Sequence, residues 1–124
     1  MEEKTCPCCS GKLFKSCCKI YVTGMAYPLD PGSLTRSRHV AELLGCKEYI
    51  KNTWHPETFP GVDKININNV QWLDLKIINI FGGENEAVVY VKKTYLENNC
   101  EHYVDTNLLF IKLGGRLVFY YSLE

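Results

Sequence analysis

The chain has 124 residues, a length that suits one domain with a small appendage. Its hydrophobic content of 46% and charged content of 23% are ordinary for a globular protein that buries a core. The formal net charge is zero, which argues against nucleic acid as a partner, because nucleic-acid-binding domains are usually strongly basic. No stretch reaches the roughly 18–20 continuous apolar residues of a membrane span.

The start of the chain is rich in cysteine, with five of the seven cysteines between positions 6 and 18. Cys6 and Cys8 are one residue apart, and the adjacent Cys17 and Cys18 follow after a short loop. Each close pair would bridge itself only with strain, whereas two such pairs suit tetrahedral thiolate ligation of zinc. We therefore predict that these four cysteines form a closed structural site for one zinc ion. Disulfides and free thiols are the alternatives.

The compartment follows from the same residues. Residues 1–4 are charged or polar after the initial Met and start no apolar run, so we expect no secretory signal. Clustered cysteines in an unexported chain favour metal binding over disulfides, because such a chain stays in a reducing compartment. We expect a cytoplasmic protein.

Two helices are predicted after a connecting stretch. Glycine and proline interrupt residues 21–32, which we interpret as a linker or a packed loop. Ser33 is the predicted N-cap of a helix over residues 34–44, and Gly45 closes it. A second helix is predicted over residues 46–53, where Pro56 follows and prevents its continuation.

The pattern changes to strands from position 70 onward. Strands are predicted over residues 71–81, 86–96, 105–113 and 116–123, separated by turns rich in glycine and asparagine. In the second strand Ala87, Val89 and Val91 lie on one face. Two helices followed by a meander of antiparallel strands predict an α+β fold, with a curved antiparallel sheet and the N-terminal helices on one face.

The cysteine-rich start resembles the SEC-C motif, which is named after the C-terminal tail of the bacterial preprotein translocase ATPase. The resemblance is carried, in order, by Cys6-Pro7-Cys8, Ser10-Gly11-Lys12, Phe14-Lys15 and Cys17-Cys18. Cys9 stands where the motif has glycine, and it is either a spare thiol or a competing ligand. If that position needs a left-handed backbone, the side chain costs about 1–2 kcal/mol.

A second resemblance covers nearly the whole chain. It is carried by Leu34-Thr35-Arg36-Ser37-Arg38, Gly45, Tyr49-Ile50 and Thr53-Trp54-His55-Pro56. These segments resemble the central domain of bacterial YchJ-like proteins, in which a SEC-C motif precedes a domain of the nuclear transport factor 2 superfamily. The resemblance implies a cone-shaped sheet that wraps a helix and can leave a pocket. It divides the chain into a zinc knuckle at 1–20, a connecting loop at 21–32 and an α+β cone domain at 33–124.

Residues that could serve an enzyme are present, but none has a spacing that demands catalysis. The candidate titratable residues are His39, His55, His102, Asp74, Asp105, Tyr90, Tyr103 and Tyr121. Four residues near the helices are candidates for lining a pocket: Arg36, Arg38, Trp54 and His55. Fold alone supplies no activity, so whether the protein is an enzyme stays open, and the sequence favours a non-enzyme.

A binding module is the favoured function. SEC-C knuckles of the translocase tail are associated with docking to an export chaperone and to ribosomes. The resemblance therefore implies a protein partner that contacts Lys12, Leu13 and Lys15. The alternative is a purely structural zinc beside a small-molecule-binding or enzymatic pocket in the cone. A homodimer is a further expectation, through the aromatic strand residues Tyr90, Tyr95, Phe119, Tyr120 and Tyr121.

Overall fold

The computed structural model describes residues 4–8, 10–64 and 71–123. Within them it contains three α-helices: α1 (Lys19–Val22), α2 (Pro31–Leu44) and α3 (Lys47–Asn52). Four strands follow: β1 (Gln71–Gly82), β2 (Glu86–Glu97), β3 (Cys100–Leu113) and β4 (Arg116–Leu123). Short 3-10 turns occupy Phe14–Ser16 and Val62–Lys64. No helix in these ranges has the length and apolar composition needed to cross a membrane.

The strands form one antiparallel sheet in the order β1-β2-β3-β4, so the predicted α+β fold with a curved antiparallel sheet is confirmed. The predicted first residue of the third strand was wrong, because β3 begins at Cys100 and not at position 105. Asn98 and Asn99 both have a positive φ, at 54° and 61°, and make a two-residue turn. Pairing resumes at once, with Cys100 opposite Glu97, so no residues are left for a loop.

The start of α2 also differs from the prediction. The N-cap is Asp30, not Ser33, and its Oδ2 accepts a hydrogen bond of 2.9 Å from the Ser33 backbone N–H. Pro31 and Gly32 were interpreted as helix breakers, but they form the first turn of α2. Proline is favoured there because its missing N–H would have no partner in the helix. Gly45 ends the helix with a left-handed φ of 74°, as predicted.

The main core lies between α2 and the concave face of the sheet. Its buried members are Leu34 of α2, Leu75, Val89, Val91, Phe110 and Phe119. Val89 and Val91, which the sequence placed on one face of β2, both belong to this cluster. A helix laid across a curved sheet buries one apolar stripe against the inward residues of all four strands.

The segment after α3, residues 53–55, runs beside β4, and we call it the strap. The Phe119 N–H donates to the Thr53 carbonyl at 2.7 Å, and the His55 N–H donates to the Phe119 carbonyl at 2.8 Å. The strap thereby covers part of the outer edge of β4 and places the Trp54 side chain against the core cluster.

The cap assignment is testable. Asp30→Ala removes the acceptor of the Ser33 N–H, so we expect the free energy of unfolding to fall by about 1 kcal/mol. Ser33→Ala is the matched control, because it keeps that backbone hydrogen bond and should cost clearly less. Urea unfolding of both variants measures the difference. A larger loss for Ser33→Ala than for Asp30→Ala would contradict the assignment.

Candidate functional site

The first candidate site is built by a small hairpin at the start of the chain. Thr5 and Leu13 form an antiparallel bridge, and the Cys6 N–H donates to the Lys12 carbonyl at 2.8 Å. The turn between them includes Gly11 with a φ of 86°, a conformation that favours glycine. The 3-10 turn Phe14–Ser16 then brings Cys17 and Cys18 back toward the hairpin. Local backbone geometry thus folds the two cysteine pairs onto each other.

The Sγ atoms of Cys6, Cys8, Cys17 and Cys18 all lie within 4.8 Å of one another. The sulfurs of Cys8 and Cys17 are 3.6 Å apart, and those of Cys17 and Cys18 are 3.8 Å apart. A tetrahedral thiolate site with metal–sulfur bonds of about 2.3 Å has edges of about 3.8 Å. A disulfide needs about 2.05 Å, so these sulfurs are not bonded to each other. The four cysteines are suited to binding a metal ion.

The pKa shifts of the cysteine thiols show which of them must lose a proton when a metal ion binds. The Cys18 thiol donates to Cys8, which lowers the pKa of Cys8 to about 4. The same hydrogen bond raises the pKa of Cys18, while burial raises the pKa of Cys6 to about 11. The thiolate form of Cys8 is therefore stabilised, and deprotonation of Cys6 and Cys18 is opposed. A divalent cation that binds here releases protons, as thiolate ligands require.

The cluster is fastened to α2. Cys6, Cys8 and Cys18 are buried and pack with Val40 of the helix. The Arg36 Nη1 donates to the Cys8 carbonyl at 2.9 Å. The structure thus places Arg36, a predicted pocket residue, at the junction of α2 and the cysteine cluster.

The predicted partner-contact residues differ in exposure. Lys12 and Lys15 are exposed, whereas Leu13 is half-buried in its bridge with Thr5. Cys9, the departure from the SEC-C motif, lies outside the described residues.

The second candidate site is a cavity of about 280 Å³ between α2 and the concave face of the sheet, which we call the cone cavity. Its polar lining includes Arg38, His39, Glu42 and Lys93, and its aromatic lining includes Trp54 and Trp72. Arg38 and Trp54 were predicted pocket residues, and the structure brings them together here. His55 is not part of this lining; its Nδ1 accepts the Glu57 N–H at 3.1 Å.

Arg38 is buried and held by neutral partners. Its Nη1 donates to the Ile50 carbonyl at 3.1 Å and to the Thr53 Oγ1 at 2.6 Å. The guanidinium carbon lies 5.0 Å from the ring centroid of Trp54 and 4.6 Å from that of Phe119. Burial lowers the pKa of Arg38 to about 10, so the side chain stays charged at neutral pH. Arg38, a candidate pocket residue from the sequence, is thus a buried cation of the cavity lining.

His39 is the unpartnered member of the cavity lining. It is 2% exposed, and its Nδ1 is buried without a hydrogen-bond partner among the described residues. Its ring meets the Trp72 ring edge-on, with 5.7 Å between centroids. Burial, with a smaller effect of Lys93, lowers the pKa of His39 to about 3, so the imidazole is neutral at pH 7.

The other titratable candidates lie away from the cone cavity. His102, Tyr103, Asp105 and Tyr121 are exposed, and Asp74 and Tyr90 are half-buried. Among the aromatic residues considered for a homodimer, Phe119 belongs to the core cluster and is not a surface residue. Of the predicted candidates, His39 alone contributes an imidazole to the cavity lining.

A curved antiparallel sheet wraps α2, and a four-cysteine cluster precedes both in the chain. These features define a class of small α+β cone-fold proteins with an N-terminal cysteine knuckle. The profile of the YchJ middle NTF2-like domain matches residues 30–122. A UPF0225 protein of Deinococcus radiodurans is 33% identical over 116 residues, covering 94% of this chain and 86% of that protein. The chain belongs to this YchJ-like UPF0225 family, so the predicted family is confirmed.

Other relatives are longer, and solved structures agree on the fold. A UPF0225 protein of Pectobacterium carotovorum is 34% identical over 94 residues, which are 73% of this chain and 61% of that protein. A SEC-C motif containing protein from Rhodopseudomonas palustris has a TM-score of 0.81, 22% identity and 98% coverage of both chains. One from Psychrobacter arcticus has a TM-score of 0.73 and 20% identity, covering 98% of this chain and 81% of that chain.

The buried neutral His39 predicts a specific pH dependence of stability. Its pKa is about 3 in the folded protein but about 6.5 in the unfolded chain, so below that value the unfolded chain binds the extra proton. This contribution to stability is present above the unfolded pKa and is lost as the pH falls. The charged side chains that line the cavity together with the imidazole are Lys93 from the sheet and Arg38 and Glu42 from its own helix.

We therefore expect His39→Gln to flatten the pH dependence of the free energy of unfolding. Between about pH 7 and pH 5.5 the parent should lose about 1 kcal/mol more than the variant. Urea unfolding with a saturating metal ion measures both slopes, and all other titrating groups are common to the two proteins. Parallel slopes would show that His39 is not buried in the neutral form.

Proposed function

We propose that the protein binds one zinc ion per chain through Cys6, Cys8, Cys17 and Cys18. The observation that carries this proposal is the packing of four cysteine sulfurs within 4.8 Å of one another. Zinc is the metal that closed tetrahedral sites with four thiolates take most often, and such sites are structural because no open position is left. Reduced thiols fit a cytoplasmic protein, which is our proposed location.

The zinc ion has a folding role in this proposal. The described residues 4–8 and 10–18 contain one isolated bridge and one 3-10 turn, which is too little regular structure to fold independently. Zinc would fix the knuckle and, through Val40 and the Arg36–Cys8 hydrogen bond, hold it on α2. Small units of this kind commonly depend on the metal for their fold.

The knuckle is also proposed as a protein-docking module. A zinc ion with four thiolates carries a charge of −2, while Lys4, Lys12, Lys15 and Lys19 surround it in the sequence. Lys12 and Lys15 are exposed, whereas Cys6, Cys8 and Cys18 are buried. This surface favours a partner that presents acidic residues, with Leu13 as an apolar contact.

As a second candidate, the zinc is purely structural and the cone domain binds a small molecule. The observation that favours it is the cone cavity, which combines charged and aromatic side chains with an unpartnered buried imidazole. Such a combination is the usual starting point for identifying a ligand site. Whether the bound molecule is also transformed stays open in this candidate.

The zinc proposal predicts about one zinc per chain by elemental analysis of the purified protein. Cys8→Ser and Cys18→Ser should each lower the zinc content and the melting temperature, because a buried ligand is lost. Cys46→Ser is the matched control, since this half-buried cysteine lies outside the cluster. A folded, metal-free protein whose melting temperature does not respond to a chelator would refute the proposal.

The docking proposal predicts that charge reversal on the knuckle removes partner binding. A photocrosslinking amino acid at the exposed Ser16 should give a discrete protein adduct in cells. Lys12→Glu with Lys15→Glu should abolish the adduct and leave the melting temperature nearly unchanged. Lys47→Glu with Lys51→Glu, exposed on α3, carries the same charge change and should retain it. The docking proposal would be contradicted if no adduct forms, or if neither pair of substitutions changes the amount of adduct.

A further inference from the structure

The cone cavity carries more charge than the fold requires. Arg38 and Lys93 contribute two cations to its lining, and Glu42 contributes one carboxylate. His39 is neutral at pH 7, so the side chains of this lining carry a net charge of +1. Arg38 makes both of its hydrogen bonds to described residues from Nη1, which leaves further donors of the guanidinium fork for a ligand. The lining is therefore complementary to a monoanion.

The walls of the cavity are aromatic. Trp54 and Trp72 both line it, and each is already in contact with a cation of the same lining. Arg38 lies over Trp54, and the Lys93 Nζ lies 5.3 Å from the ring centroid of Trp72. Indole rings held in fixed positions by such contacts offer flat apolar surface to a planar ligand.

A third feature is the orphaned nitrogen of His39. A buried polar atom without a partner lowers stability, so native proteins rarely leave one. This Nδ1 belongs to a side chain that lines the cavity, and every other buried polar side chain of α2 has a partner. The Nδ1 atom itself is closed off from the cavity by its neighbours, so His39 contributes its ring to the lining and Nδ1 is not assigned to the ligand.

We propose that the cone cavity binds a small aromatic monocarboxylate. The carboxylate is held by Arg38 and Lys93, and the ring lies against Trp54 and Trp72. The cavity volume of about 280 Å³ lies just below the range of about 300–1,000 Å³ for drug-sized ligands, so the ligand is small. This inference deepens the second candidate function, and it does not depend on protein docking.

The experiment uses the zinc-loaded full chain and para-hydroxybenzoate as the probe. The chain has 2 tryptophans, Trp54 and Trp72, and both line the cavity, so both indole N–H signals in an NMR spectrum report on it. We expect both signals to shift saturably. The neutral analogue para-hydroxybenzyl alcohol should bind at least about tenfold more weakly, because it has no carboxylate.

Two adjacent lysines of β2 give a matched pair of variants. Lys93→Gln should weaken the binding of para-hydroxybenzoate about tenfold, since it removes one cation from the cavity. Lys92→Gln removes the same charge from the opposite face of the strand, where the Lys92 Nζ lies over the Tyr103 ring, and should leave the affinity unchanged. Arg38 is not varied, because its loss would also remove the hydrogen bonds to α3 and the strap.

Three results would overturn the proposal. The first is that neither indole signal shifts saturably with the probe below about 10 mM. The second is that inorganic phosphate produces the same shifts, which would make this a general anion site. The third is that Lys93→Gln binds as well as the parent. Zinc content is measured on the same samples, so a zinc-loaded chain that fails to bind contradicts the cavity proposal alone.

Discussion

Enclosure of α2 is the constraint on which the rest of the structure depends. Leu34 faces the sheet core, Val40 faces the cysteine cluster, and Ala41 packs with Tyr49 and Ile50 of α3. Apolar burial on several sides stabilises the helix far more than its intrinsic propensity does. The knuckle, α3 and the sheet each contact α2. The position of α2 therefore determines how these three parts are arranged.

Enclosure also constrains the polar side chains of α2, because water cannot satisfy them. The Thr35 hydroxyl donates to the Pro31 carbonyl, and the Ser37 and Tyr49 hydroxyls are 2.6 Å apart. Arg38 bonds to α3 and the strap, so its charge is buried without an unpaired Nη1. His39 is the exception, and it lines the cone cavity. The other buried polar side chains of α2 are hydrogen-bonded. The one unpartnered group among the described residues belongs to a side chain that lines the cone cavity, where a small ligand can fit.

Part of the cavity lining could be predicted from the sequence, and part of it could not. Period-two alternation put Ala87, Val89 and Val91 on one face of β2, which the structure shows to be the concave face, and its continuation places Lys93 there as well. The same rule fails for Trp72. Counting back from the buried Leu75 puts position 73 inward, but a register shift between Trp72 and Asp74 turns position 72 to the cavity. Periodicity predicts side-chain direction along a regular strand, and a bulge depends on tertiary packing that no local pattern reveals.

The two arginines of α2 show how the candidate sites are related. Both were assigned to one pocket from the sequence, yet residues two apart on a helix with 3.6 residues per turn point to nearly opposite sides. Arg36 accordingly bonds to the Cys8 carbonyl, and Arg38 lines the cone cavity. One turn of α2 thus contacts the cysteine cluster through Arg36 on one side and places the charged Arg38 in the cone cavity on the other. The cavity is formed on the face of α2 opposite the knuckle, so the cysteine cluster packs against the other side of the same turn.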